Sequence, residues 1–411
     1  MANPYIVLHV NGRLDRGGAE SRIMDLYRAI DREKVQFHFV EHTTDRCAYE
    51  EEIESLGGKV YHLPRFKVIN DIEYRKAWKE LLQLHPEIRT VHGHMTSTAG
   101  IYLPIAKKMG KKTIAHARSA GVEPGVKGKL TRFLRRNLWK QADTLLTCSK
   151  EAGNSVFGEK AVDAGMVRFF PNAIPVDKFA FQQEVRKQVR DELGLLIEKR
   201  KNASTELNPI YESTETSDKT EAENSYYDKL KIDDNTFALG HVGRFSPVKN
   251  HKYLLQIMAA YCKKNPNSVL LLLGDGPTME ETKAQAKELG IENKVLFLGN
   301  HSDVYRYYNA LDCFLLPSFY EGLPGTAIEA QACGLPGLLS DTITREAAVT
   351  ELMEYVNITE SPEVWAEKLE TIRKKTIDAR ENYANVVKAA GFDVAEQAEK
   401  LQRFYLSNQW L

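Results

Sequence analysis

The chain has 411 residues, which exceeds one compact domain of ordinary size and fits two. Its 56 Lys and Arg residues balance 56 Asp and Glu residues, so the overall charge does not point to nucleic-acid binding, for which a basic domain is expected. The five scattered cysteines lack C-x-x-C spacing, which predicts neither a zinc site nor a redox pair and fits the reducing cytoplasm. No apolar stretch approaches the ~20 residues of a membrane span.

Short apolar runs alternate with amphipathic segments along the whole chain. The strands predicted in the first half are Tyr5–Val10, Phe37–Glu41, Val60–Leu63, Thr113–His116 and Thr144–Cys148. Those predicted in the second half are Phe237–Val242, Val269–Leu273, Val295–Leu298, Cys313–Leu316 and Gly337–Ser340. The helices predicted between them include Arg22–Ile30, Glu73–Leu84 and Met279–Leu289. This alternation predicts parallel α/β sheets, and two such series predict two Rossmann-like domains.

The first series ends near Phe169–Pro175, where two prolines and an asparagine predict a turn and a hinge. We therefore expect a first domain over residues 1–175 and a second over 176–390. Residues 198–235 are dominated by polar side chains, which predicts a solvated insertion in the second domain. Apolar residues at spacings of three and four predict a helix within 391–411.

A glycine, an arginine and a lysine follow the predicted strand Phe237–Val242. Ligands of open parallel sheets bind at the carboxyl ends of strands, and Gly243 lets the backbone approach a ligand closely. Arg244 offers a planar fork of donors, and Lys249 offers a compact point charge. These two cations predict a clamp for two phosphates. The alternative is a surface Arg and Lys in a turn that contains Pro247.

A glycine-rich loop, Glu321–Gly325, follows the strand Cys313–Leu316 and leads into a predicted helix. Thr326 is predicted to cap this helix, whose free N–H groups and positive dipole end suit a diphosphate. Glu329 is expected in the first turn, where it could accept hydrogen bonds from ribose hydroxyls, with Glu321 across the ligand. The alternative is that Glu329 only complements the helix dipole and that Glu321 is solvated.

Several motifs, in their order and spacing, resemble glycosyltransferase family 4 over nearly the whole chain. They are Glu321-x7-Glu329 around Gly322-Leu323-Pro324, Gly243-Arg244 followed by Lys249-Asn250, Gly274-Asp275-Gly276-Pro277, Gly17-Gly18-Ala19-Glu20, Val91-His92-Gly93-His94, Ile114-Ala115-His116 and the linker Pro171-Asn172-Ala173-Ile174. The resemblance implies the GT-B fold, in which two Rossmann-like domains with parallel sheets face a central cleft. In this fold we also expect a C-terminal helix, residues 391–411, to cross back to the first domain.

The resemblance further implies a donor site. In the family, the residues matching Arg244 and Lys249 hold the diphosphate of a nucleotide-sugar, the one matching Glu329 binds the ribose, and the one matching Glu321 contacts the sugar. Family members transfer this sugar with retention of its anomeric configuration. The binding residues implied in this way are Gly17, Gly18, Gly243, Arg244, Lys249, Gly322, Leu323, Pro324, Gly325 and Glu329.

His116 matches a family residue that lies near the anomeric centre, although it could equally be a core histidine at a strand end. The catalytic residues that the resemblance implies are Glu321, His116, Arg244 and Lys249. Fixed cationic donors can replace a metal ion, and the chain lacks an Asp-x-Asp motif, so we predict no metal. We also predict no cofactor besides the substrate, which is expected to be a UDP-sugar.

The segment Val126–Lys140 carries six basic residues and no acidic one. If it is one helix, its basic face is formed by Lys129, Arg132, Arg136 and Lys140, and its apolar face by Val126, Leu130, Phe133, Leu134 and Leu138. Such a helix suits an anionic membrane surface, and many relatives extend lipid-linked glycans at the inner face of the cytoplasmic membrane. We therefore expect a cytoplasmic, peripheral membrane protein. The alternative is an ordinary helix with a solvated basic face.

These observations predict a retaining glycosyltransferase for exopolysaccharide, capsule or another surface glycan. Its expected partners are a nucleotide-sugar donor and a glycan or lipid-linked acceptor, without nucleic acid. The alternatives are a GT-B epimerase or phosphorylase, or a subunit that binds nucleotide or glycan without catalysis. A phosphorylase would need a pyridoxal-binding lysine motif, for which we find no match, and the intact Arg244, Lys249, Glu321 and Glu329 oppose a non-catalytic subunit.

Overall fold

A computed structural model describes residues 3–15, 18–118, 125–202, 232–233, 235–375, 380 and 383–407. The predicted insertion at 198–235 lies mostly outside the described residues, as does Gly17. By spatial clustering the chain forms two compact units. The first comprises Met1–Pro175, Glu321–Gly325 and Gly391–Leu411, and the second comprises Val176–Tyr320 and Thr326–Ala390.

The first unit is built on a parallel sheet of seven strands. They are β1 Tyr5–Val10, β2 Val35–Glu41, β3 Val60–His62, β4 Ile88–Gly93, β5 Lys112–Ala117, β6 Thr144–Thr147 and β7 Val167–Phe169. Their order in the sheet is β3-β2-β1-β4-β5-β6-β7. The helices of this part of the chain are α1 Gly18–Ala29, α2 Glu50–Ser55, α3 Asp71–Leu84, α4 Ala99–Lys108, α5 Gly125–Arg135, α6 Leu138–Gln141, α7 Lys150–Phe157 and α8 Glu159–Asp163.

The second unit is built on a parallel sheet of six strands. They are β8 Phe237–Val242, β9 Ser268–Leu273, β10 Val295–Gly299, β11 Cys313–Leu316, β12 Gly337–Ser340 and β13 Met353–Val356, in the order β10-β9-β8-β11-β12-β13. Its helices are α9 Val176–Phe179, α10 Gln183–Asn202, α11 His251–Lys264, α12 Met279–Glu288, α13 Val304–Ala310, α14 Gly325–Ala332, α15 Pro362–Lys374 and α16 Tyr383–Val387. The two parallel sheets confirm the prediction of two Rossmann-like series.

The last helix, α17 Val394–Ser407, belongs to the first unit. It packs against α1, and its apolar residues at spacings of three and four, which include Leu401 and Tyr405, are buried. Its first residue is tied to the linker, because the backbone N–H of Val394 donates to the carbonyl of Ile174 at 2.9 Å. The Tyr405 hydroxyl is hydrogen-bonded to Nδ1 of His92 at 2.6 Å, so this helix completes the core of the first unit.

The basic segment Val126–Lys140 does not form one helix, and that prediction is wrong. Helix α5 ends at Arg135 and α6 begins at Leu138. Between them the N–H of Arg136 donates to the carbonyl of Phe133, three residues back, so the helix tightens into a turn instead of continuing. In the part of the chain with described structure, no helix is long and apolar enough to cross a membrane.

Candidate functional site

The order of strands in the second sheet places β8 and β11 side by side at its centre. The chain adds β9 and β10 on one side of β8 and then crosses to add β11, β12 and β13 on the other. This reversal is the topological switch point of the sheet, where the loops leaving two neighbouring strands diverge and leave a crevice. The loops after β8 and β11 carry the candidate donor residues.

The loop after β8 is held by backbone hydrogen bonds to the end of β9. The N–H of Gly243 donates to the carbonyl of Leu273, and the N–H of Phe245 donates to that of Asp275, both at 2.9 Å. Gly274 has a φ of +132°, and a Cβ there would collide with the carbonyl of Gly243. The backbone on both sides of Arg244 is therefore fixed, while its side chain is exposed.

The side chain of Lys249 lies across Gly243. A Cβ atom at position 243 would stand 3.2 Å from Cε of Lys249, so glycine leaves room for the lysine stem. The next residue, Asn250, takes a left-handed conformation with φ 56° and donates from Nδ2 to the carbonyl of Pro317 at 3.2 Å. The structure thus brings Gly243 and Lys249 together and ties their loop to the one that follows β11.

The layer beneath Lys249 contains two histidines. His241 is hydrogen-bonded through Nδ1 to the carbonyl of Leu315 at 2.8 Å, and the ring of His251 stacks on Phe245 at 4.1 Å. Burial lowers the pKa of His241, with further lowering from His251 and Lys249, and burial lowers the pKa of His251 to about 4. Both rings are therefore neutral near pH 7, and the positive charge at this strand end comes from Arg244 and Lys249.

The loop after β11 is anchored at its start. The carbonyl of Ser318 accepts hydrogen bonds from Ser340 Oγ at 2.5 Å and from Thr342 Oγ1 at 3.0 Å. The N–H of Phe319 donates to the carbonyl of Val248 at 2.9 Å, which joins the two candidate loops directly. Further along the loop, Glu321, Gly322 and Gly325 are partly exposed and Leu323 and Pro324 are buried.

Thr326 does not cap α14, so that prediction is wrong. The helix begins at Gly325, which makes Thr326 its second residue. The buried Oγ1 of Thr326 has no hydrogen-bond partner among the described residues, whereas a capping oxygen would accept from a backbone N–H. The helix start still offers its first N–H groups at the strand end.

Glu329 is the fifth residue of α14 and therefore lies in the second turn, not in the first turn as predicted. Its side chain is buried, and Oε2 accepts a hydrogen bond from the hydroxyl of Tyr308 at 3.0 Å. Tyr308 is itself buried on α13. Sequence reasoning missed this tyrosine, because a tyrosine in an amphipathic segment reads as part of the core. It is a positioning residue for the Glu329 carboxylate.

His116 lies in the first unit within a cluster of four histidines at the ends of β1, β4 and β5, in which His9, His92 and His116 are buried and His94 is partly exposed. His9 Nδ1 and His94 Nε2 are 2.9 Å apart, and His92 Nε2 and His116 Nδ1 are 3.1 Å apart. Burial lowers the pKa of all four well below the usual 6.5, and the positive charge of Arg118 lowers each further. His116 is thus a neutral ring held by other side chains.

The candidate residues fall into two groups. Gly243, Arg244, Lys249 and Glu329 belong to the second unit. Gly18, which begins α1, and His116 belong to the first, and Glu321–Gly325 clusters with it although this loop follows β11. The catalytic and binding roles of all these residues stay predictions.

Two parallel Rossmann-like sheets define the GT-B class of glycosyltransferase folds. The structure matches HepE of Anabaena, solved in complex with UDP, with a TM-score of 0.71 at 17% identity, over 99% of this chain and 100% of that one. The same protein solved with UDP-glucose also matches, with a TM-score of 0.71 at 16% identity over 98% and 100% of the two chains. The likeness shows the fold.

Sequence comparison gives the family. Residues 16–178 match the family described as Glycosyltransferase Family 4, and residues 223–390 match the one described as Glycosyl transferases group 1. The putative glycosyltransferase EpsF of Bacillus subtilis is 30% identical over 404 residues, which is 97% of this chain and 96% of that protein. The chain belongs to glycosyltransferase family 4 and is a glycosyltransferase of the GT-B type.

Two further relatives have informative names. The capsular polysaccharide biosynthesis glycosyltransferase CapH of Staphylococcus aureus is 24% identical over 408 residues, 98% of each chain. A shorter match, 34% identical over 115 residues, covers 27% of this chain and 30% of an Escherichia coli enzyme. That enzyme is named UDP-Gal:alpha-D-GlcNAc-diphosphoundecaprenol alpha-1,3-galactosyltransferase, so its name gives both a UDP-sugar donor and a lipid diphosphate acceptor.

Proposed function

We propose that the protein transfers a sugar from a UDP-sugar to a lipid-linked glycan, with retention and without a metal ion, in the synthesis of a surface polysaccharide. One observation carries the proposal. Arg244 and Lys249 leave the end of β8 in a loop that is hydrogen-bonded to the loop after β11, at the switch point of the second sheet. Two cations on a fixed backbone, beside a strand end that leads into α14, form a site for a diphosphate.

The chemistry follows from these residue types. When the bond between the sugar and the nucleotide breaks, negative charge develops on the phosphate oxygens of the leaving UDP. Arg244 and Lys249 stabilise that charge because they are already in place and need little reorganisation. The acceptor hydroxyl attacks the anomeric carbon from the side of the leaving group, and its proton passes to the departing phosphate. No protein group has to act as the base.

The nucleotide is bound by the second unit in this proposal. Glu329 accepts hydrogen bonds from the ribose hydroxyls, and Tyr308 holds its carboxylate in position at 3.0 Å. Glu321 contacts the donor sugar. The complexes of HepE with UDP and with UDP-glucose and the name of the E. coli relative support a UDP-sugar as donor.

A lipid-linked acceptor is supported by the surface of the first unit as well as by the relatives. On α5 the basic Lys129 and Arg132 are exposed, and Phe133 is 58% exposed with Arg136 stacked 4.5 Å from its ring centre. Arg135 differs from these exposed basic residues, because burial lowers the pKa of its guanidinium. Exposed cations beside an exposed aromatic ring favour docking on an anionic membrane, at the inner face of the cytoplasmic membrane.

A second exposed apolar surface lies on the same layer of helices. Val68 and Ile69, in the 3-10 turn Val68–Asn70 before α3, and Ile72, in the first turn of α3, are here called the aliphatic patch and are 64%, 92% and 85% exposed. Helix α3 packs against α4, and α4 packs against α5, so the patch and the basic helix flank the same element. Three neighbouring exposed aliphatic side chains are costly in water and gain free energy by insertion into lipid.

We expect the triple substitution Lys129→Ser, Arg132→Ser and Arg136→Ser to weaken binding to phosphatidylglycerol-containing vesicles by more than tenfold. Each cation near an anionic surface contributes about 1 kcal/mol, so three together give about 3 kcal/mol. Cosedimentation measures the bound fraction. The matched control, Lys252→Ser, Lys263→Ser and Lys287→Ser, removes three exposed cations from the second unit and should change little. Equal loss in both triple variants would contradict docking through α5.

The transferase function itself is tested by slow hydrolysis of UDP-sugars without an acceptor. We expect the wild-type protein to release UDP from one of UDP-glucose, UDP-galactose or UDP-N-acetylglucosamine, and Glu321→Ala to do so at least tenfold more slowly. Glu288→Ala, which removes an exposed carboxylate from α12, is the control. If UDP-sugars raise the unfolding temperature but neither wild type nor variant hydrolyses them, the protein is a binding subunit.

A further inference from the structure

A second chemical site lies in the first unit, away from the residues of the proposed function. Glu41 is the last residue of β2, His62 is the last residue of β3, and Glu50 is the first residue of α2. One carboxylate oxygen or ring nitrogen from each lies within 4.8 Å of the others. We call these three residues the carboxylate–histidine cluster.

Each carboxylate in the cluster has one oxygen held by the backbone. Glu41 Oε1 accepts from the N–H of Leu14 at 2.7 Å, and Glu50 Oε1 accepts from the N–H of Cys47 at 2.5 Å. The Glu41 side chain is fully buried, and its Oε2 makes no hydrogen bond of normal geometry with the described residues, although Nδ1 of His62 lies 3.9 Å away. A buried carboxylate oxygen without a close donor is costly, so this atom favours either a proton, since burial raises the pKa of Glu41, or a bound cation.

The histidine of the cluster is held in one tautomer. His62 Nδ1 lies 2.9 Å from the carbonyl oxygen of Thr43, which only accepts, so Nδ1 carries the proton. In the neutral ring Nε2 then presents a lone pair, and it lies 3.5 Å from Glu50 Oε2. Two lone pairs that face each other at this distance repel unless a proton or a metal ion lies between them. A ring N–H donated to a backbone carbonyl is also the usual arrangement behind a histidine that binds a metal.

We propose that Glu41, Glu50 and His62 bind one divalent transition-metal ion of the Zn²⁺ type, with water as a further ligand. Bonds of about 2.1 Å in a tetrahedral site place neighbouring ligand atoms about 3.4 Å apart, close to the spacing between His62 and Glu50. The imidazole nitrogen favours such an ion over Mg²⁺ or Ca²⁺, which take oxygen ligands. His62 is 36% exposed and offers an entry path.

The bound ion would join three elements that are separate in sequence. It would fasten the start of α2 to the ends of β2 and β3, and it would neutralise two neighbouring carboxylates. Its role is structural, and it takes no part in the sugar transfer proposed above. An ion that binds the folded state alone shifts unfolding to higher temperature.

The test is a titration of the full-length protein, stripped with EDTA and dialysed, with Zn²⁺ alone. We expect one ion per chain and a higher unfolding temperature on its addition. Glu41→Gln and Glu50→Gln should each weaken binding by more than tenfold. The glutamine oxygen can still accept the backbone hydrogen bond, so these substitutions remove the charge and leave the local fold supported.

Two control variants separate this cluster from other ligands. Glu87→Gln changes a carboxylate paired with His85 at 3.0 Å and should bind Zn²⁺ like the wild type. His9→Asn alters the other group of described residues able to hold a metal, His9, His92 and His94, and should also bind normally. The proposal is overturned if the wild type binds no Zn²⁺ at micromolar concentration. It is also overturned if Glu50→Gln binds as well as the wild type, or if His9→Asn alone abolishes binding.

Discussion

Replacing Arg244 with alanine is expected to lower kcat/KM for sugar transfer by about 30- to 5,000-fold, or about 2–5 kcal/mol of transition-state stabilisation. Hydrogen bonds fix the backbone on both sides of Arg244, at Gly243 and at Phe245. The Arg244 side chain itself is exposed. Its guanidinium is therefore available to the diphosphate of the donor. Because the charge on the phosphate grows as the sugar departs, the loss should fall mainly on kcat.

Arg244→Lys and Arg373→Ala are the matched controls for this prediction. The lysine keeps a positive charge but loses the planar fork, so it should restore part of the activity. Arg373 is exposed on α15 and pairs with Glu370, so its removal should leave activity unchanged. Since Arg244 is exposed, the stability of its variants should stay within about 0.5 kcal/mol of wild type. A loss of activity below tenfold in Arg244→Ala would remove the residue from the donor site.

Lowering the pH from 6.5 to 5.5 is expected to destabilise the first unit by about 4 kcal/mol through its four-histidine cluster. The folded-state pKa of each ring is lowered by burial, so the folded unit does not take up protons in this range. The unfolded chain does take them up, because the pKa of an unperturbed histidine is about 6.5. The unfolded state thus binds more protons, and the stability present above pH 6.5 is lost as the pH falls.

Hydrogen exchange of the β1 and β4 amides at pH 7.5, 6.5 and 5.5 measures this effect, because it reports the free energy of opening the first unit. The double variant His9→Asn and His94→Asn removes two of the four titrating rings. Between pH 6.5 and 5.5 its free energy of opening should fall by about 2 kcal/mol less than that of the wild type. An opening free energy that varies by less than about 1 kcal/mol over this range would show that the rings are protonated in the folded protein.

The strands could be predicted from sequence where their residues form a mainly apolar run, as most of the buried strands do and as the partly exposed edge strand β3 also does. Three strands were missed for one physical reason. β7 contains Arg168, β13 contains Glu354, and β4 contains Arg89, Thr90 and His92, so none of the three forms an apolar run. The break between α5 and α6 was missed because a helical wheel assumes a continuous helix.

Contacts between distant residues account for what the sequence could not show about the sites. Tyr308 and Glu329 lie on different helices, α13 and α14, so their hydrogen bond depends on where the fold places these two helices. The carboxylate–histidine cluster is assembled in the same way from the ends of two strands and the start of a helix. Only short motifs within one loop, such as Gly243 to Lys249, can be recognised without knowing which elements are neighbours.

The position of α17 affects how the protein folds as it is synthesised. The seven strands of the first unit are synthesised before the second unit, but the helix that covers α1 and contacts His92 through Tyr405 is synthesised only after it. Until then the apolar face that α17 covers stays open, so this unit cannot finish folding while the second unit is still being translated. Premature termination before residue 394 would therefore leave even a fully synthesised first sheet open to aggregation and proteolysis.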